Sequence, residues 1–256
     1  MIEIKIGAAI AIFLAGMIGG LIAARLTRSK FREAMTALTN TFAGGVFLGA
    51  ALMHMLPDAR EKFEDLALGA DYPLFAFGAA AGFLFVLMLD KVVVPAGPRV
   101  SAELAGRASI YPYLLMLTLS IHSVITGIAL GLEDHMVSAA AIILAVLAHK
   151  STAAMALTIS FGRENTPKSR ARNLLWMFYF MTPLGVVLGT WWSTLLEGPE
   201  EAMFEGIFDS LAAGTFLYIA IVDILGEEFM AGERRWSLFF ATISGFAIMA
   251  LVAIWT

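Results

Sequence analysis

The chain has 256 residues, of which 59% are hydrophobic and only 15% charged, and its formal net charge is −4. A mean hydropathy of +0.81 lies far above the range of water-soluble domains, so a soluble fold is excluded. Cysteine is absent, which excludes disulfide frameworks and thiolate metal sites and leaves imidazole, carboxylate, hydroxyl and carbonyl groups as metal ligands.

Apolar stretches long enough to cross a bilayer recur along the whole chain, and most of them are nearly free of charge. Two are as long and as apolar but carry interior charges, namely Lys150 in the fifth and Asp209 and Asp223 in the seventh. We therefore predict an all-α integral membrane protein with a single transmembrane domain. Its eight predicted helices cover approximately residues 4–26, 34–57, 72–94, 111–133, 136–161, 174–196, 206–229 and 236–255.

The connections between the predicted helices differ in charge between the two sides of the membrane. Because cytoplasmic loops are enriched in lysine and arginine, we place the basic connections inside. Both termini then lie on the extracytoplasmic side of a multi-pass cell membrane, either plasma or inner. The acidic outer loops would concentrate cations at the outer mouth, or they are ordinary solvated loops. The basic side carries Arg25, Lys91, Arg163, Lys168, Arg170, Arg172, Arg234 and Arg235, and the acidic side carries Glu61, Glu64, Glu133, Asp134 and Glu205.

Two segments that lie 169 positions apart, 43–56 and 212–225, repeat each other at small and apolar positions. The match continues at polar positions, since His54 aligns with Asp223 and Asp58 with Glu227. By the predicted topology, helices 2 and 7 run in opposite directions, so the repeat is inverted. Inverted repeats are typical of secondary transporters, whose substrate site lies between the halves. Chance coincidence of common membrane residues is the alternative, and the matched polar positions argue against it.

Two histidines, His122 in helix 4 and His149 in helix 5, lie near the middle of the membrane. An ionisable group there costs roughly 2.5 to 3.5 kcal/mol, so each is a functional hypothesis. A short turn joins the two helices into an antiparallel hairpin, in which residues of equal depth can meet. Facing imidazoles would form a half-site for Zn²⁺ or a similar metal. Alternatively, each histidine forms a hydrogen bond with a neighbouring hydroxyl or carbonyl group, but the matched depth of the two residues favours the metal site.

Polar neighbours accompany both histidines. Ser123 and Thr126 flank His122, and Thr126, four residues further on, shares its helix face. The hydroxyl group there either acts as a weak neutral ligand or donates a hydrogen bond to the carbonyl group of the preceding turn. Lys150 follows His149 and cannot bind a metal while it is charged. We expect it to need a counter-charge, for which Asp223 is the nearest candidate in depth.

Two further pairs of polar residues lie one helical turn apart. His54 and Asp58 are near the outer end of helix 2, and Asp223 and Glu227 are near the inner end of helix 7. Each pair can present two oxygen or nitrogen ligands on one helix face. We predict that one pair serves the entry and the other the exit of a transport pathway.

Four helices carry sequence strings that resemble those of one known family. HSVITGIALG fills 122–131 of helix 4, and His149-Lys150 stands in helix 5. Helix 2 contains FAGGVFL and HMLPDA, and helix 7 contains AAGTFLYIAIVDILGEE. These strings resemble the ZIP (Zrt/Irt-like) divalent-metal transporters, whose helix 4 signature is His-Ser-Val-x-(Glu/Asp)-Gly-x-Ala-x-Gly. The resemblance covers the chain and implies eight helices in a 3+2+3 arrangement with inverted repeats, extracytoplasmic termini and metal uptake toward the cytoplasm.

Carried over position by position, the resemblance implies a ligand set. His122 and His149 match primary metal ligands of the family, and Ser123 matches a position that often holds a ligating asparagine. Thr126 stands where most members have a carboxylate ligand, and Ala153 occupies another position that can be acidic. With both carboxylates missing, the expected site keeps two imidazoles, hydroxyl groups and water, so its metal affinity should be lower.

We therefore expect a non-enzymatic, secondary-type carrier of a divalent metal, with zinc as transported substrate and without a permanent cofactor. Lys150 stands where many members have an acidic ligand for a second metal, so its ammonium group would replace that cation and leave a mononuclear site. The expected partners are the metal ion and the lipid bilayer, without nucleic acid, and a homodimer stays open. Two alternatives also stay open: an intramembrane zinc-dependent hydrolase, and a ZIP-like metal-binding protein with altered or lost transport.

Overall fold

The computed structural model describes residues 2–27, 32–65, 72–93, 111–192, 199–231 and 234–255. The described residues form eight helices that are long and apolar enough to cross a membrane, which confirms the predicted all-α multi-pass architecture. The helices are α1 (Ile2–Leu26), α2 (Arg32–Ala50, Ala51–Met55 and Leu56–Asp65), α3 (Leu74–Met88 and Leu89–Val93), α4 (Tyr111–Leu132), α5 (Met136–Arg163), α6 (Lys168–Trp192), α7 (Pro199–Tyr218, Ile219–Leu225 and Gly226–Ala231) and α8 (Arg235–Val252).

Several helices continue beyond the apolar stretches from which they were predicted. Helix α2 extends to Asp65, α6 begins at Lys168 and α7 begins at Pro199. The added turns are polar. They continue the helix beyond the hydrocarbon core at little cost, because the helical backbone already satisfies its own hydrogen bonds. The predicted end of helix 3 at residue 94 and the last residues of helix 6, 193–196, lie outside the described residues.

The two helices of the sequence repeat, α2 and α7, share a local distortion. Ala51–Met55 in α2 and Ile219–Leu225 in α7 are π-helical, and they fall at equivalent positions of the repeat. In α2 the widened turn ends just before Pro57, whose ring would otherwise clash with a carbonyl group one turn earlier. Such bulges often mark functional sites, and each of these two contains the first residue of a predicted pathway pair.

The most extensive helix pairings are α4 with α6, α2 with α8, α1 with α5 and α3 with α7. Two of them, α2 with α8 and α3 with α7, are related by the repeat down to single glycines. A β-carbon on Gly45 of α2 would overlap the carbonyl oxygen of Thr242 in α8, and one on Gly214 of α7 would overlap that of Ala79 in α3. Gly45 and Gly214 are repeat-equivalent. The inverted repeat read from the sequence therefore corresponds to equivalent close helix crossings.

Glycines of α8 and α3 also contact α2 and α7, again at equivalent positions. Gly245 of α8 lies against the carbonyl oxygen of Phe42, and Gly82 of α3 lies against that of Leu211. Phe42 and Leu211 are again 169 positions apart. The pairings therefore divide the helices into one group with α1, α4, α5 and α6 and another with α2, α3, α7 and α8, and the histidine-bearing helices belong to the first.

Candidate metal centre

The imidazole rings of His122 and His149 face each other where the two groups of helices meet. Their ring centroids are 5.6 Å apart, with an angle of 51° between the planes, and the residues are only 6% and 3% exposed. Phe216 of α7 packs against both rings, at centroid distances of 4.5 and 6.2 Å. Together they line a cavity of about 10 Å³, roughly the volume of a single water molecule.

The spacing of the two rings fits a shared tetrahedral ion. With a Zn–N distance of about 2.0 Å and tetrahedral angles, two imidazoles on one zinc have centroids roughly 5 Å apart. The Nδ1 atoms of His122 and His149 are both buried without a hydrogen-bond partner among the described residues. A buried polar atom normally has a partner, so each ring has a nitrogen available for a ligand.

The hydroxyl group of Thr126 determines which ring nitrogen of His122 carries the proton. Thr126 Oγ1 donates to the backbone oxygen of His122 at 2.9 Å and lies 3.2 Å from its Nε2 atom. Because the hydroxyl proton is already used, the second contact requires Nε2 to be the donor. The lone pair of His122 then resides on Nδ1, the atom without a partner. Thr126 is therefore placed to orient a metal-binding imidazole from the ring nitrogen opposite the free lone pair.

Lys150 is buried beside the histidines and is held by neutral groups. Its ammonium nitrogen donates to Ser123 Oγ at 2.9 Å, to Thr182 Oγ1 at 3.1 Å and more weakly to the backbone oxygen of Phe178 at 3.4 Å. It also lies 3.9 Å from the centre of the Phe178 ring, a favourable cation–π position. Three acceptors match the three donors of an ammonium group.

The prediction that Asp223 supplies the counter-charge of Lys150 is wrong. Asp223 instead lines a separate cavity, and the ion pairs found among the described residues do not include Lys150. Depth along the membrane normal was the basis of that prediction, and it does not fix which helices are neighbours. Ser123, predicted as a ligand of the metal, is one of the acceptors that hold the lysine.

The outer pair of the predicted pathway lies on one face of α2. His54 Nδ1 is 3.0 Å from Asp58 Oδ2, close enough for an ion pair when the imidazole is protonated. His54 is 9% exposed and interacts electrostatically with both His122 and His149. His54 is therefore near enough to the central histidines for a charge on it to act on both imidazoles.

The inner pair of the predicted pathway lines a cavity of its own. Asp223 and Glu227 border a space of about 170 Å³, large enough for several water molecules. Asp90 of α3 shares this cavity, accepts a hydrogen bond from Tyr218 at 2.7 Å and pairs with Lys91 at 2.8 Å. The described lining has four carboxylates against the two cations Lys91 and Arg163, so it is acidic on balance and suits a partly hydrated cation.

Two residues near the pathway pairs were not predicted as site residues from the sequence, although Asp209 stood out there as an interior charge. Asn40 of α2 lines the inner acidic cavity, where its Nδ2 atom donates to Glu228 at 2.9 Å. Asp209 of α7 interacts electrostatically with His54 and Asp58 at the outer pair. Asn40 and Asp209 are themselves 169 positions apart, so extending the repeat by one more turn would have found both.

Comparison with known proteins agrees with this architecture. The sequence profile described as ZIP Zinc transporter matches residues 2–101 and 98–253. The zinc transporter ZIP1 of Danio rerio is 27% identical, covering 98% of this chain and 97% of its own length. ZIP1 of Bos taurus is 29% identical, covering 97% and 90%, and ZIP3 of Homo sapiens is 27% identical, covering 96% of both. With nearly its entire length matched, the chain belongs to the ZIP zinc transporter family.

Proposed function

We propose that this protein is a secondary-type carrier that moves a divalent metal cation, with zinc as its main substrate, toward the cytoplasm. The observation that carries the proposal is the pair of buried imidazoles, His122 and His149, spaced as on one tetrahedral ion. Each has a ring nitrogen without a partner among the described residues. The names of the relatives, all zinc transporters, support zinc as the substrate.

The route that we propose passes three groups of residues. A cation attracted by the acidic outer loops passes His54 and Asp58, binds between the central histidines, and leaves through the acidic cavity that Asp223 and Glu227 border. The small volume of the central cavity means that the ion must shed most of its water there. Rocking of one group of helices against the other, around the contact of the histidines with Phe216, would expose the site to each side in turn.

We further propose that the centre holds a single metal ion. The described side chains that line the central cavity include no carboxylate, while Lys150 is fully enclosed with its donors directed at Ser123 and Thr182. A second divalent ion beside this ammonium group would be repelled without a compensating negative charge. A moderate affinity suits a carrier, because an ion that binds too tightly is released slowly.

The topology proposed with this function has both termini outside the cytoplasm, in the plasma or inner membrane of the cell. It is supported by the alternation of basic and acidic connections, since Arg163, Lys168 and Arg234 fall on one side and Glu61 and Glu133 on the other. Modification of cysteines introduced singly at Glu133 and at Arg170 with a membrane-impermeant maleimide on intact cells tests it. We expect labelling at 133 and not at 170, and the reverse pattern would invert the proposed direction of transport.

Zinc flux into proteoliposomes that contain a fluorescent zinc indicator tests the carrier function. We expect wild-type protein to admit zinc, and the double variant His122→Ala plus His149→Ala to reduce the initial rate at least a hundredfold. His135→Ala is the matched control, because His135 is exposed in the turn that joins α4 and α5. Equal flux through the double variant and this control would exclude the proposed site.

The two remaining functions give different results in the same preparation. A metal-binding protein without transport would retain zinc at the histidines and show no flux, an outcome that the missing carboxylate at Thr126 makes worth testing. An intramembrane hydrolase would need a third strong ligand and a general base near the zinc, and the residues lining the central cavity supply only hydroxyl groups and Lys150 beside the histidines. Hydrolysis of a lipid amide by the purified protein would favour that function.

A further inference from the structure

A large cavity lies away from the proposed metal route. It has a volume of about 1480 Å³ and runs between α1 and α6, bordered by the end of α5 and the start of α2. It shares no lining residue with the central histidine cavity or the inner acidic cavity. We call it the α1/α6 groove, and it is on the side of the molecule that carries the basic connections.

One end of the groove has the chemistry of an anion site. Lys168, Ser169 and Arg172, from the first two turns of α6, all line it. Helix α6 has no acidic residue in its first turn, so its unpaired backbone N–H groups add a positive potential that nothing on the helix offsets. Two cationic side chains, a hydroxyl group and a helix N-terminus converge there.

A buried hydroxyl group at the same end is left without a partner. Thr166 lines the groove just before α6 begins, and it is only 8% exposed. Its Oγ1 atom is buried and makes no hydrogen bond to the described residues. An unsatisfied buried hydroxyl group is costly, so a ligand oxygen at this end of the groove would relieve a cost as well as meet the positive charges.

The rest of the groove is apolar and opens toward the region of the bilayer. Leu21 of α1 and Trp176 of α6 line it while 48% and 43% exposed, and Met17 and Leu175 line it more deeply. At its deep end Tyr179 closes it, with its hydroxyl group against Gly20. An anion site at one end and an apolar channel at the other match a phosphate group joined to an acyl chain.

We propose that the α1/α6 groove binds one anionic glycerophospholipid, with its phosphate at the N-terminus of α6 and an acyl chain between α1 and α6. Among the described residues that line the groove, Glu33 is the only carboxylate, against the two cations Lys168 and Arg172. The net charge of the lining is therefore positive, which favours a headgroup of net negative charge over a zwitterionic one. The lipid would lie in the leaflet on the basic side and contact both α1 and the start of α2.

Native mass spectrometry of protein extracted from nanodiscs with phosphatidylglycerol and phosphatidylcholine in a 1:9 ratio tests this proposal without relying on transport. We expect one phosphatidylglycerol per chain to be retained. Lys168→Gln plus Arg172→Gln should weaken its retention about thirtyfold, from the loss of two cationic contacts. Arg25→Gln plus Arg170→Gln removes the same charge from exposed positions that do not line the groove, and should leave retention unchanged.

A second variant distinguishes a lipid from a free phosphate ion. Ala24→Phe fills the apolar part of the groove and leaves its charges in place, so it should also abolish lipid retention, whereas Ala247→Phe on the exposed face of α8 should not. Millimolar inorganic phosphate should fail to displace the lipid from the wild-type protein. Equal retention of the two lipids, full retention by either groove variant, or displacement by phosphate would each overturn the proposal.

Discussion

Replacing Thr126 by glutamate restores a carboxylate beside the central histidines, and the structure gives the scale of its effect. Thr126 Oγ1 lies 3.2 Å from His122 Nε2, the ring nitrogen opposite Nδ1, so a carboxylate here would come within about 6 Å of an ion bound at Nδ1. At an effective dielectric constant of about 20, a single negative charge attracts a divalent ion at that distance by about 5.5 kcal/mol.

Two opposing contributions reduce this attraction. Desolvation of a buried carboxylate costs several kcal/mol, and Lys150 already neutralises part of any negative charge introduced nearby. A net gain of about 2 kcal/mol remains, which corresponds to roughly thirtyfold tighter binding of zinc. Because release then becomes slower, we expect the maximal transport rate of Thr126→Glu to fall below that of the wild-type protein.

Isothermal titration calorimetry of zinc with detergent-solubilised protein measures the affinity, and the proteoliposome assay measures the rate. Thr126→Gln is the matched control, because it has the same shape and hydrogen-bonding reach without the charge. We expect the glutamate variant to bind zinc much more tightly than the glutamine variant. Equal affinities for these two variants would refute the conclusion that the wild-type centre is weakened by the absence of a carboxylate.

Three further predictions follow from the geometry. Lys150→Glu removes the internal ammonium group and supplies an acidic ligand, so the zinc content by elemental analysis should rise from one ion per chain toward two; an unchanged content would contradict the role given to Lys150. Gly45→Ala forces a β-carbon into the carbonyl group of Thr242 and should lower the thermal unfolding midpoint by roughly 5 °C, whereas Gly7→Ala, with nothing within 4 Å, should leave it unchanged. Asp223→Asn should slow zinc flux about tenfold without altering zinc affinity at the histidines, and a weakened affinity would place Asp223 in the central site instead.

The sequence predicts the helical architecture well because the bilayer restricts what a backbone can do. A segment that spans the membrane must satisfy its backbone hydrogen-bonding groups internally, so the long apolar stretches of this hydrophobic chain can only be helices. The depth of His122 and His149 follows from counting along such helices, and the short turn between α4 and α5 brings the two rings together. The meeting of the two rings depends on local sequence alone, and the structure reproduces it.

Lateral neighbours are harder to predict because the apolar faces of membrane helices look alike. The acceptors of Lys150 on α4 and α6 have no signal in the sequence beyond being polar, and depth alone pointed to Asp223. The packing of Phe216 against both histidines could not be predicted for the same reason, because an aromatic residue in an apolar helix usually belongs to the core. The repeat was more informative than depth, because it relates Asn40 to Asp209 and pairs the glycine contacts of α2 and α7.

The central claim is that a transported metal binds between His122 and His149, and zinc K-edge X-ray absorption spectroscopy tests it directly. The wild-type protein loaded with one equivalent of zinc should show the scattering pattern of two imidazole rings, with nitrogen atoms at about 2.0 Å and oxygen atoms completing the coordination. In the double alanine variant that imidazole pattern should disappear. An unchanged imidazole pattern in the variant would contradict the account and move the metal to another site.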